Sequence, residues 1–302
     1  MTIEEQEFIR IISISYCNPN CVISLEDIKR VEEIMFRELH SAPELLFWYW
    51  IQERHSIFLK RQRGESKPWT EDPILQNYKF LNPFRENDRG TVWLRENFLI
   101  PHREDSLELL AFNICWYRMF NWIGTGELLG WQIKWNSEEI KRILNIQEKW
   151  GLSIFTNAYV VRSEQGIPKI DSIVSTCNHL WENRYDLVGH EKLETVFQIL
   201  IKFISPFMSY EIVTDMRHTR LLETATDINT FSNAGPGALR GLKRLGLSIE
   251  NPLDSMIWLL NRDRTFLNLE LRDIEHSLCE WDKYCRVKFG EGKPRFKFNG
   301  EV

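Results

Sequence analysis

A chain of 302 residues with 43% hydrophobic and 27% charged content has the length and composition of a globular protein able to bury a large core. Its formal net charge of -5 argues against coating nucleic acid through bulk electrostatics, while leaving room for a local basic groove. The six cysteines are scattered, with no CxxC pair and no histidine at ligand spacing, which argues against zinc; the acidic start Met1-Thr2-Ile3-Glu4-Glu5-Gln6-Glu7 is unlike a targeting segment, and no apolar run reaches membrane-spanning length.

Helix signals dominate in chain order. Ser41-Ala42-Pro43-Glu44 predicts an N-terminus: a capping hydroxyl, proline just inside, and glutamate three residues on. The helix that follows carries Trp48 and Trp50 and turns charged at Arg61-Gln62-Arg63-Gly64. On it Trp50, Glu53 and Arg54 share one face, a group that suits a base edge and a phosphate, or equally a buried ion pair beside core aromatics. Asp72-Pro73 starts a second helical segment through Tyr78. Pro83 precedes a helical stretch over 84–98, on which Asn82, Arg85, Asp88 and Arg89 form a polar stripe, as surface helices often do.

A third long helix is predicted over 106–121, with Arg118 and Asn121 close to strongly apolar neighbours. Ser137 caps a helix to about Trp150, residues 158–174 read as a short strand or an irregular connection, and periodicity returns over 191–203, 206–216, 237–245, 252–261 and 271–286. With no repeat, linker or low-complexity tract, the prediction is a single all-α unit over 1–302 built of two packed helical lobes. Twelve tryptophans supply core area and, where exposed, stacking faces.

The most distinctive stretch is Gly235-Pro236-Gly237-Ala238-Leu239-Arg240-Gly241. A side-chain-free turn entering a helix presents main-chain N–H groups and a positive dipole end, and Arg240 adds a planar fork suited to phosphate. It reads as an anion site or as a plain helix-initiating turn. The preceding helix places Glu211, Asp215 and His218 roughly on one face, and Asp227 stands just ahead of the glycines as a reactive carboxylate or as the cap of a short helix over 228–231. Near the C-terminus Lys283, Arg286, Lys288, Lys293, Arg295 and Lys297 interleave with Tyr284, Phe289, Phe296 and Phe298, a basic groove or a solvated tail.

The segments Phe47 to Arg54, Pro68 to Leu75, Phe80 to Arg89, Arg118 to Asn121, Thr156-Asn157-Ala158-Tyr159, Asp215, Asp227 to Gly241 and Leu278 to Tyr284 resemble, in order over residues 40–290, a known family. It is the helical domain named after the 5-hydroxymethyluracil DNA kinase, whose enzymes are also called alpha-glutamyl/putrescinyl thymine pyrophosphorylases. The resemblance implies the helical architecture of helix-hairpin-helix DNA glycosylases, with residues 190–246 as the hairpin-like and glycine-turn segment. Phe203-Ile204-Ser205-Pro206-Phe207 lacks the Gly-x-Gly turn of such hairpins, and no lysine precedes the aspartate as in lyase-competent glycosylases.

The implied reaction is a transfer in DNA, mostly in bacterial viruses: an amine or amino acid replaces the phosphate or diphosphate on an activated 5-hydroxymethyluracil. The implied partners are that DNA, the amine co-substrate and a separate DNA base kinase, since no GxxxxGK[ST] occurs here. The implied place is the cytoplasm, that of the host for a viral chain. No cofactor is expected, with Mg²⁺ compatible with the leaving group. Asp227, then Asp215, are the expected catalytic carboxylates. Gly235, Gly237, Arg240, Arg85 and Arg89 are expected to hold the leaving group. Trp48, Trp50, Glu53, Arg54, Asn82, Arg118, Asn121 and Lys283 are expected to meet the base or the DNA. Rival readings are a glycosylase-like base-excising hydrolase and a non-catalytic DNA-binding adaptor for the kinase.

Overall fold

The computed structural model describes residues 42–156, 163–292, 294 and 297–298, and among these the regular structure is helical throughout. The first half holds α1 (Pro43–Gln62), α2 (Pro73–Asn77), α3 (Arg89–Leu94), α4 (Leu107–Phe120), α5 (Ile123–Leu129) and α6 (Ser137–Lys149). The second half holds α7 (Lys169–Glu182), α8 (Leu193–Leu200), α9 (Pro206–Met216), α10 (Pro236–Arg244), α11 (Pro252–Leu260) and α12 (Leu271–Lys288). The β pairing among the described residues is one isolated antiparallel bridge between Tyr78 and Lys297. The fold is all-α.

Two hydrophobic cores organise these helices. Residues from Leu94 to Phe231 build the first around α4, whose every residue from Leu110 to Phe120 is buried. A helix buried on all sides sits at the centre of a fold, and α7 and α9 pack on it. It ends at Asn121, whose left-handed φ of 47° suits asparagine. The second core joins the two ends of the described chain: α1 and α2 contribute Leu46, Phe47, Trp50 and Leu75, while α10, α11 and α12 contribute Leu242, Met256, Leu271 and Trp281. Tyr284 ties the ends together by donating to Asp72 Oδ2 at 2.7 Å.

Several boundaries differ from the sequence prediction, each for a local reason. Helix α1 starts at Pro43 with Ala42 in the cap position and no side-chain cap; Ser41 lies outside the described residues. Asn136, not Ser137, caps α6 by accepting from Glu139 N. The predicted helix over 84–98 is broken into a 3₁₀ turn (Arg85–Asn87), α3 and a π turn (Arg95–Leu99), because Asp88 is extended (φ -75°, ψ 139°) and its carboxylate bonds back to Asn82. Helices α5 and α7 went unpredicted; α7 begins inside the stretch read as a strand or connection, part of which (157–162) lies outside the described residues. The interleaved basic tail is described only in part, since Lys293, Arg295 and Phe296 also lie outside.

Candidate functional site

Glu211 and Asp215 stand one turn apart on α9, and a buried ionic cluster forms around them. Arg85 reaches Glu211 Oε2 at 2.7 Å and Asp215 Oδ2 at 3.7 Å, and its Nη1 also donates to Thr214 Oγ1 at 2.6 Å. From the other side Arg118 grips the Asp215 carboxylate with Nε and Nη2, the latter at 2.9 Å, and donates to Asn121 Oδ1 at 2.7 Å and Thr91 Oγ1 at 2.9 Å. Burial alone would push the Asp215 carboxyl up; the Arg118 and Arg85 guanidiniums outweigh it and hold the group below the usual carboxylate range. Among the described residues each buried carboxyl of the pair faces a guanidinium, the kind of pairing that makes burying such charges tolerable.

The glycine turn meets this cluster from α12. Gly235 N donates to Glu275 Oε1 at 3.0 Å, so the first N–H of the turn holds a carboxyl of this chain. Burial pushes the Glu275 carboxyl up to about 8; the Gly235 N–H opposes the shift, Glu211 adds to it and Arg85 opposes it. Glu275 is therefore mainly protonated at neutral pH. The junction of α9, α10 and α12 thus combines an acid able to give up a proton with a fixed charge array beside it.

The other turn residues do different work from that expected. A Cβ on Gly237 would lie 2.2 Å from Cys279 Sγ, and one on Gly241 would lie 2.6 Å from Leu278 O. These two glycines let α10 close onto α12 and are not free to cradle an anion. Arg240 is anchored by Nε to Asp282 Oδ2 at 2.8 Å, farther along α12.

Asp227 requires the clearest correction. Its two carboxylate oxygens accept from Leu193 N at 2.8 Å and Glu194 N at 3.0 Å, at the start of α8. Its side chain caps a helix distant in sequence, and both oxygens are occupied. Its neighbours Ile228 and Phe231 pack into the first core, whereas Arg240 is held to Asp282 on α12 of the second.

Trp48 and Trp50 are buried in the second core, 3% and 0% exposed, so neither offers a stacking face. Arg54 is buried and donates Nε and Nη2 to Phe80 O; burial lowers it to about 10. Glu53, half-buried, lies one residue before it. Asn82 braces its own loop, with N and Nδ2 each donating to Asp88 Oδ1 at 3.0 Å, and so is not part of a helical stripe. Arg89 is exposed at the first turn of α3. Lys283 pairs with Glu280 Oε1 at 2.6 Å, while Glu280 Oε2 accepts from Leu81 N at 3.0 Å. Close by, His276 Nε2 lies 3.8 Å from Asp88 Oδ2. Arg54 Nη1, Asn82 Oδ1 and His276 Nε2 are buried without a hydrogen-bond partner among the described residues.

From sequence, Glu275, Cys279 and Asp282 fall on one side of the last helix and His276, Glu280 and Lys283 on the neighbouring side, but that spacing alone selects no reaction and assigned them no role. The signal for Glu275 was the spacing Gly237-x-x-x-Gly241, which announces a close helix neighbour without saying which helix. With that geometry in hand, comparison with known proteins decides the family: the model of the 5-hmdU DNA kinase helical domain matches residues 44–294. The chain belongs to this family. Among curated proteins, the "5-hmdU DNA kinase" of Bacillus phage SP10 is 26% identical over 296 residues, covering 82% of this chain and 46% of the phage protein. The chain thus spans about half the length of that relative. No solved structure matches, so the expected likeness to helix-hairpin-helix glycosylases rests on sequence alone.

In the helical-domain family member described here, the segments that carried the resemblance are tied to one another. Arg54 meets Phe80, Asp72 meets Tyr284, Leu81 meets Glu280, Arg85 and Arg118 meet Asp215, and Arg240 meets Asp282. Among the described residues no helix is long and apolar enough to cross a membrane.

Proposed function

We propose that this chain works in the hypermodification of thymine-type bases in DNA, as a transferase. It replaces the phosphate or diphosphate on an activated 5-hydroxymethyluracil with an amine or amino acid. The observation that carries the reading is the convergence of dispersed family segments on one buried junction containing Arg85, Asp215, Arg118 and the protonated Glu275. The absence of GxxxxGK[ST] from these 302 residues supports the transfer step over phosphate donation by them.

In this reading the nucleotide is flipped from the duplex toward the junction, at a cost of a few kcal/mol. The bond from the C5 methylene to oxygen breaks, with its electron pair leaving on the phosphate. The amine lone pair forms the new carbon–nitrogen bond. Glu275 passes its proton to the departing phosphate oxygen and recovers one from the ammonium product. The amine must enter neutral, which at pH 7 costs about 4–5 kcal/mol for a primary amine of ordinary basicity. Arg89, exposed at the start of α3, is the leaving-group contact retained from the sequence reading; Arg85 and Arg118 position the carboxylates. Arg54 Nη1, Asn82 Oδ1 and His276 Nε2 are the buried polar atoms that a base edge would satisfy.

The name of the phage relative favours a second reading, in which this chain binds DNA for a kinase and performs no chemistry itself. Nucleoside mass spectrometry separates the two. DNA carrying phosphorylated 5-hydroxymethyluracil is incubated with the protein and a set of amines and amino acids, then digested. Transfer yields an amine-bearing nucleoside with phosphate release. Unchanged composition supports the adaptor, and free base with abasic sites supports a hydrolase.

A further inference from the structure

Three guanidiniums converge on the fully buried Asp282 carboxylate of α12. Arg240 Nε lies 2.8 Å away, Arg244 Nε 2.7 Å and Arg286 Nε 3.5 Å. Arg244 is also closed off by Glu291, which takes both of its terminal nitrogens. Arg240 has no second ion-pair partner among the described residues and remains 54% exposed, while Arg286, 35% exposed, also feels the charge of Glu291. Arg240 donates Nε to Asp282, while Arg286 Nε makes an ion-pair contact at 3.5 Å without a hydrogen bond. Lys243, exposed one turn after Arg240 on α10, adds a further cation.

We propose that Asp282 sets Arg240 and Arg286 as a clamp for a phosphodiester of the DNA backbone, with Arg244 as the brace. A guanidinium fixed through Nε presents a planar fork matched to two phosphate oxygens and loses little freedom on binding. The clamp supplies locally the positive field that the chain's overall charge of -5 lacks. Its position fits the role. Asp282 lies seven residues beyond Glu275 on the same helix, about 10 Å of rise, which is about three nucleotide steps along one DNA strand. A phosphate held there belongs to the strand flanking the flipped base and not to the leaving group, a distinct role for Arg240. This inference rests on the reading of DNA as substrate.

The test measures binding of a short unmodified duplex by fluorescence anisotropy across a salt series. Wild type is compared with Arg240→Gln, Arg286→Gln and Arg240→Lys. Arg240→Gln keeps Arg244 on Asp282, so it retains a paired carboxylate and its fold is checked by circular dichroism. Each Gln variant should weaken binding and lower the slope of log affinity against log salt by about 1. Arg240→Lys should keep the slope and lose affinity, because the charge remains and the fork does not. Unchanged affinity and slope in both Gln variants would overturn the clamp while leaving the transfer reading in place. A loss confined to DNA bearing the phosphorylated base would also overturn it, returning Arg240 to the leaving group. Wild-type protein with no affinity for the duplex at low salt would remove the DNA reading and the clamp together.

Discussion

Asp227 and Glu275 are both buried carboxyls, and their main-chain partners set their roles. Asp227 receives two N–H groups from the start of α8, one on each oxygen, and is spent as a cap. Removing it in Asp227→Ala should cost about 1–2 kcal/mol of stability, read by urea denaturation, with turnover per folded molecule unchanged; a large loss of turnover at full folding would restore it to the chemistry. Glu275 receives a single N–H and sits beside Glu211, so its proton stays on to about pH 8 against an ordinary value of 4.5. Between those limits the folded state holds a proton that the unfolded state has released. The stability this group supports is therefore full below about pH 4.5 and declines as pH rises toward 8, by at most about 1.4 kcal/mol per unit. Glu275→Gln, neutral in both states and still able to accept from Gly235 N, should match wild type near pH 5 and exceed it at pH 8. Parallel denaturation midpoints at the two pH values would refute the assignment of a buried, protonated Glu275.

At the scale of elements, the pairing of α10 with α12 positions both Glu275 and the Asp282 trio. Gly237 and Gly241 permit it, and they differ in what an added methyl would meet. At Gly237 the nearest atom is the tip of Cys279, at 2.2 Å; at Gly241 it is the Leu278 carbonyl oxygen, at 2.6 Å, which belongs to the backbone of α12. Gly237→Ala should cost about 1–3 kcal/mol and Gly241→Ala at least as much. Adding Cys279→Ala should return part of the loss for Gly237→Ala and none for Gly241→Ala, measured by thermal unfolding. Equal rescue of both would contradict the packing described.

Much of this level was legible in the sequence. The prolines at the heads of α1, α9 and α11 mark starts that the structure keeps, and the apolar spacing of α4 gave its length. The 84–98 stretch was not legible as three pieces, because its break depends on the Asp88 side chain choosing Asn82 over the helix it precedes. Helix α7 was hidden by Gly166-Ile167-Pro168 at its entry, whose turn chemistry outweighed the periodicity that follows.

Across the whole molecule, two cores meet along a polar junction built from Arg85, α9, the glycine turn and α12. Sequence alone found most of its components, since Arg85, Arg118, Asp215 and Gly235 were all candidates. Proximity along the chain made Asp227 the natural neighbour of the turn, whereas its carboxylate binds the start of α8. The true neighbour, Glu275, is forty residues away and arrives only through helix packing. Trp48 and Trp50 misled for the opposite reason: aromatics that suit a stacking site suit a core equally well, and only burial separates the two uses. The dispersed pieces that carried the resemblance are parts that touch.

The most direct test of the central claim follows phosphate release under single-turnover conditions from DNA bearing phosphorylated 5-hydroxymethyluracil, with a primary amine present, from pH 6 to 9. Wild-type protein, once corrected for amine ionisation, should release phosphate at a rate that falls as pH passes about 8, with Glu275→Gln slower at neutral pH by about 10²-fold and lacking that limb. Release by Glu275→Gln at the wild-type rate and with the wild-type pH profile would contradict the account.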